Sequence, residues 1–193
     1  YLNTPQTLLF DKSRHIFGLF QAKEAIRKED NAVIVEGNLD VVSSHQAGVK
    51  HVVATAGTAM TEQHIKALSR LTSRIRLAFD GDKAGLAATE RVIGLARNVE
   101  VNLEVVVLPD AAKDPDELIQ QDPKLWMQAI DSAVPAVEWV IYQYEQREDL
   151  KTAKGRRNFT TAALDLLRQL DDAVEQDYYL NMVQKISGSS LSA

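Results

Sequence analysis

Glu36, Asp40, Asp80 and Asp82 are the residues whose type and spacing speak most directly of chemistry. Glu36 follows the apolar run Ala32-Val33-Ile34-Val35, Gly37 comes next, and Asp40 stands three residues beyond. Asp80-Gly81-Asp82 follows Ile75-Arg76-Leu77-Ala78-Phe79 in the same way. In both places a strand-like run delivers an acid and then a glycine. Open α/β sheets hold their ligands at the carboxyl ends of the strands. Two such ends side by side pool three or four carboxylates, which raise one another's pKa unless a cation or a shared proton compensates. An all-oxygen donor set suits Mg²⁺ or Mn²⁺. The expectation is a divalent-metal site.

Plainer accounts compete at each further position. Taken alone, Asp82 is a helix cap and Gly81 a tight-turn residue. A calcium loop starting at Asp80 fails, because Ala84 and Arg91 would fill its fifth and twelfth positions. Asp114-Pro115-Asp116-Glu117 is a complete helix-start signature of N-cap acid, proline and first-turn acids. Gly57-Thr58 precedes a helix, where backbone N–H groups can approach a phosphate or simply make a turn. His15, His45, His51 and His64 show no paired ligand spacing and read as surface or packing residues. Lys151, Lys154, Arg156 and Arg157 form the dense basic cluster, read as a solvated loop or as a phosphate contact.

The elements that position these residues alternate. Ser13 is expected to cap a helix running to about residue 29, with strands at 32–35, 51–55, 74–79 and 101–108. Helices are expected at 39–47, after Thr61, and at 83–97. Strands alternating with helices make an α/β fold with a parallel sheet of about four strands. After Pro109 no further strand is expected, and helices follow at 115–121, 123–131, 135–147, 155–170 and 174–186. The division read from this pattern is a leading segment and helix at 1–30, an α/β part at 31–122 and an all-helical C-terminal part at 123–193.

Composition narrows the class. With 45% hydrophobic and 25% charged residues the chain reads as globular. No apolar run approaches the roughly 18 residues of a membrane-spanning helix, and no signal peptide stands at the start. Zero cysteines exclude disulfides, thiolate zinc sites and a cysteine nucleophile, and fit a reducing, cytoplasmic setting. A net charge of −5 weighs against nucleic acid, yet metal-binding acids supply part of it and bound cations reverse the local field. A start at Tyr1 and a tail of Ser187-Gly188-Ser189-Ser190 give the expectation of a piece of a longer protein.

The series Val33-Ile34-Val35-Glu36-Gly37, Asp40-Val41, Gly57-Thr58-Ala59 and Phe79-Asp80-Gly81-Asp82-Lys83-Ala84-Gly85 resembles the Toprim domain. Tyr1-Leu2-Asn3-Thr4-Pro5-Gln6-Thr7, Phe10-Asp11-Lys12, Leu108-Pro109-Asp110 and Asp114-Pro115-Asp116 narrow the resemblance to the bacterial DnaG-type DNA primases. One departure is Asn38-Leu39, where that family carries an aromatic residue and a methionine. The resemblance implies that Glu36, Asp80 and Asp82 form a catalytic acidic triad. It further implies Asp40, Asp114 and Asp116 as outer metal ligands, and Lys12, Gly57, Thr58 and Lys83 as nucleotide or nucleic-acid contacts.

The activity implied is synthesis of short RNA primers on single-stranded DNA from ribonucleoside triphosphates, with Mg²⁺ or Mn²⁺. The implied partners are template, primer and a replicative helicase, the last through a region outside this chain, with no membrane involved. The family's zinc-binding domain and basic amino-terminal subdomain have no counterpart here. Rival readings are another Toprim nuclease or topoisomerase, a non-catalytic nucleotide-binding module, and a helical interaction module in residues 123–193.

Overall fold

A computed structural model describes residues 7, 11–55, 57–109 and 112–189. The Tyr1–Gln6 stretch, Phe10, Ala56, Asp110 and Ser190 lie outside the described residues. The chain divides into two compact units, residues 1–134 and 135–193.

The first unit is built on Ala32–Val35, which forms β1. Its β-branched residues suit a strand covered on both faces, and all four are buried. β1 pairs in parallel with β2 (Val52–Ala54) and, on its other side, with β3 (Arg74–Ala78). β3 pairs in parallel with β4 (Asn102–Val105), giving the order β2-β1-β3-β4-β5. The winding therefore reverses between β1 and β3, where open α/β sheets place ligands. The two-residue β5 (Val134–Pro135) is a strand the sequence did not anticipate, since two residues carry no periodicity to read.

Alternation along the strands feeds two cores. Ala32 and Ile34 face one, with Val53, Ile65, Leu68 and Leu77, while Val33 and Val35 face the other, with Val41, Val52, Leu118 and Trp126. The helices of this unit are α1 (Leu19–Glu29), α2 (Asn38–Gln46), α3 (Glu62–Ser69), α4 (Lys83–Ala96), α5 (Pro115–Gln121) and α6 (Pro123–Asp131). Thr61 caps α3 as its sequence suggests, its side chain accepting the His64 N–H.

One helix starts later than expected. The Ser13 N–H and hydroxyl are spent on Asp11, and Phe17 exchanges two backbone hydrogen bonds with Ala54 at the sheet edge. Gly18 then turns with φ +80°, and α1 begins at Leu19. An L-residue at 18 would be strained, and its Cβ would meet Val41 Cγ1 at 2.9 Å. Phe20 on α1 is 77% exposed, with Lys23 Nζ over its ring at 4.7 Å.

The second unit consists of α7 (Ala136–Arg147), α8 (Ala153–Leu167) and α9 (Ala173–Ser187), with α8 packed on both neighbours. Trp139, Ile141, Phe159, Leu166, Tyr179 and Val183 are buried in it.

Trp126, fully buried in the first unit, has no hydrogen-bond partner for Nε1 among the described residues. Trp126→Ala should lower the unfolding free energy by about 3–5 kcal/mol. Trp126→Phe should cost much less, because it also removes a buried unpaired donor. Denaturant unfolding of the two variants measures the difference.

Candidate metal centre

Parallel register sets Val35 opposite Ala78, so the tips of β1 and β3 emerge side by side. Glu36 is the next residue after β1, and its Oε1 accepts the Asp80 backbone N–H at 3.2 Å. Asp82 caps α4, its Oδ1 accepting the N–H groups of Ala84 at 2.8 Å and Gly85 at 2.9 Å. α4 lies so close to the Asp80 turn that a Cβ at Gly85 would stand 1.8 Å from the Asp80 carbonyl oxygen. The absence of a side chain at 85 is what permits this approach.

A second group of acids joins α2 to α5. Asp40 is buried, its Oδ2 accepting the Gly37 N–H at 3.0 Å and its Oδ1 the Asp116 N–H at a long 3.4 Å. Asp114 caps α5 by accepting the Glu117 N–H at 2.8 Å. Asp116 receives the Ser43 hydroxyl and, at 2.7 Å, the Gln120 amide. Ser43 escaped the sequence reading because a serine inside a helix carries no signal of its own.

Electrostatics ties the two groups together. Burial, and then the charges of Asp82 and Asp114, push the Asp80 carboxyl above its usual range. Burial also raises Asp40; the Gly37 N–H opposes that shift, while the charges of Asp114 and Asp116 reinforce it. Asp114 therefore bears on both Asp80 and Asp40. The helix-start account of Asp114 and the cap account of Asp82 are geometrically correct, yet both acids still stand within the cluster.

The carboxylates do not close around a point. Among the described residues, no three His, Asp or Glu side chains are gathered as a ready metal cage. The reason lies in the hydrogen bonds above: Glu36, Asp40, Asp82, Asp114 and Asp116 each spend at least one oxygen on a protein donor. The donor set nonetheless fits a hard divalent cation, being carboxylate throughout, with two members raised by burial and further by neighbouring acids.

Beside Glu36 opens a cleft of about 550 Å³, lined in part by Gly57, Thr58, Phe79, Ala88 and Arg91. Gly57 turns with φ +74°, and the Thr55 hydroxyl donates to the Thr58 carbonyl at 2.6 Å, fixing that loop. Arg91, weighed in the sequence only as the twelfth position of a calcium loop, also lines this cleft. Its spacing from Ala84 and Ala88 along α4 was the available signal, since all three share a helix face and the cleft. Lys83 is exposed at the first position of α4. Lys12 is tied to the start of α3 through its carbonyl, to which His64 Nε2 donates at 3.1 Å.

Comparison with known proteins follows the two units. The family described as Toprim-like matches residues 33–119, and that described as the DnaB-helicase binding domain of primase matches residues 137–192. The DNA primase of Synechocystis sp. is 37% identical over 195 residues, covering 96% of this chain and 31% of the relative. The DNA primase of Escherichia coli is 34% identical over 174 residues, covering 88% of this chain and 30% of the relative. This chain thus spans about a third of the length of the curated relatives it matches. Among solved structures, a DnaG primase catalytic domain bound to ssDNA superimposes with a TM-score of 0.84 at 30% identity, covering 98% of this chain and 61% of the other. The Escherichia coli primase catalytic core gives 0.84 at 30% identity, covering 100% and 62%.

Asp80→Asn should raise the melting temperature in chelator at neutral pH, because it removes a charge that burial, Asp82 and Asp114 disfavour. A raised carboxyl pKa means the folded chain binds the proton more tightly than the unfolded one. The unmodified chain therefore gains stability as pH falls through the folded pKa toward the usual value of 3.8. The advantage of the variant should shrink over that window, which melts between about pH 7 and pH 4 will test.

Proposed function

The chain belongs to the bacterial DnaG-type DNA primase family, and from that premise we propose that it carries the metal-binding catalytic part of a primase. The activity is synthesis of short RNA primers on single-stranded DNA from ribonucleoside triphosphates. The observation that carries this reading is the bond from the Asp80 N–H to Glu36 Oε1, made where two parallel strands end together. It anchors the Glu36 carboxylate to the Asp80 backbone at the switch point of the sheet.

In this reading residues 31–122 are the Toprim part, with residues 1–30 leading into it and residues 123–193 forming a helical part. Glu36, Asp80 and Asp82 hold Mg²⁺ or Mn²⁺, with Asp40, Asp114 and Asp116 as outer carboxylates. Cations held there would supply charge neutralisation for the triphosphate and favour ionisation of the attacking 3′-hydroxyl. The chain's own residues orient. Gly57, Thr58 and Arg91 line the cleft beside Glu36 and receive the nucleotide, while Lys83 and Lys12 approach phosphates. The 3′-oxygen forms its bond to the α-phosphorus as pyrophosphate departs, so no protein nucleophile is needed.

Because the chain spans about a third of the relatives' length, primer synthesis belongs to the whole protein. The cleft beside Glu36 supports nucleotide binding by this chain alone. The match at 137–192 supports contact of the whole protein with a replicative helicase. Capture of helicase by this chain would place that contact on α7–α9, and failure to capture it would place it in the part that this chain does not span. No helix among the described residues is long and apolar enough to cross a membrane, and we assign the protein to the cytoplasm beside the replicating chromosome.

In the full-length protein, Asp80→Ala and Asp82→Ala should reduce Mg²⁺- or Mn²⁺-dependent primer synthesis to background with circular dichroism unchanged. Asp116→Asn should cost about 10- to 100-fold, as for a residue that supports ligands rather than acting directly. Normal primer yields from the alanine variants would overturn the catalytic assignment, and cleavage of single-stranded DNA in place of synthesis would assign a nuclease.

A further inference from the structure

The turn between α7 and α8 concentrates charge that the metal centre does not use. Residues 147–157 hold five cations, Arg147, Lys151, Lys154, Arg156 and Arg157, against two carboxylates. The rest of the second unit holds two cations against seven carboxylates. All five basic side chains are exposed, and none forms a salt bridge among the described residues. The two nearby carboxylates are engaged elsewhere: Glu148 accepts from the Asn158 amide at 3.2–3.3 Å, and Asp149 Oδ1 accepts the Lys151 backbone N–H at 3.0 Å.

This arrangement gains the chain no ion pair among the described residues. Like α1, α4 and α6, α8 carries no acid in its first turn, where the helix dipole would favour one, and Lys154 is its second residue. Lys154 and Arg157 are also like charges three residues apart on one helix. Local rules broken without internal compensation mark places shaped by an external ligand.

The platform beneath the charges is rigid. A Cβ at Gly155 would lie 2.1 Å from the Asp149 carbonyl oxygen, so the turn is pressed directly against α8. The Thr152 hydroxyl donates to that same oxygen at 2.9 Å, and Arg156 Nε donates to the Leu150 carbonyl at 2.7 Å. Arg156 thereby braces the turn, while Arg147, Lys151, Lys154 and Arg157 reach outward.

We propose that this turn is a binding surface for the sugar-phosphate backbone of single-stranded nucleic acid, separate from the acidic centre. Exposed Lys and Arg without carboxylate partners are the footprint of phosphate contact. A protein partner would need an apolar or aromatic anchor at the centre of the patch. Within 146–158 the exposed residues beside the cations are Gln146, Asp149, Thr152, Ala153 and Asn158, and Phe159 is buried.

The test is fluorescence anisotropy of a labelled single-stranded DNA oligonucleotide with the whole chain in EDTA, so that metal at the carboxylates contributes nothing. Lys154→Glu with Arg157→Glu should weaken binding at least about tenfold and flatten the log K against log salt slope by about 1.4, two contacts at about 0.7 each. Lys154→Arg with Arg157→Lys should restore both, and thermal melts should show every variant folded. Unchanged affinity and slope would overturn the proposal, as would the absence of any binding by the unmodified chain. Unchanged DNA binding with loss of helicase capture would reassign the surface to a protein partner. Because no metal is involved, success or failure here is independent of primer synthesis.

Discussion

Acids gathered at one sheet edge by the pairing of β1 with β3 set the constraint on which the candidate site depends. Parallel register allows the chain no choice but to deliver Glu36 and Asp80 to the same edge. Burial raises Asp80 and Asp40 most, and α5 adds to both through Asp114 and to Asp40 through Asp116 as well. A fold that only needed stability would place opposite charges there. Backbone N–H groups from Gly37, Asp80, Ala84, Gly85 and Glu117 are what the chain uses to hold these acids in place. They satisfy each carboxylate singly without cancelling the field of the group.

That economy explains why helix caps and members of the charged cluster are the same residues. A cap must be an acid or a hydroxyl at a strand-to-helix turn, and the mouth of an α/β sheet is made of such turns. Asp82 and Asp114 are therefore capping residues by geometry and members of the charged cluster by position.

Much of the fold was legible because β1 to β4 and α2 to α5 each carry a strong local signal: β-branched runs, capping residues, and proline at the first helical position. α1 was misplaced because periodicity continues through Phe17 and Gly18, while the sheet edge claims Phe17 and a left-handed turn claims Gly18. β5 was invisible because two residues have no pattern. In the candidate site the acids were legible from the strand ends that present them. The Ser43 hydroxyl on Asp116 and the Arg91 side of the cleft were not, since both depend on which helices the tertiary structure brings alongside. The Toprim-like match over residues 33–119 covers the segment in which local signals were strongest.

Gly85 has no functional group, yet a missing methyl there keeps α4 against the carbonyl of Asp80. Any larger residue forces helix and turn apart, and with them the cap and the acid they present. A survey that ranked positions by loss of function would score this glycine with the acids it serves. Its defect would trace to lost space, beyond rescue by added cation or by a change of charge.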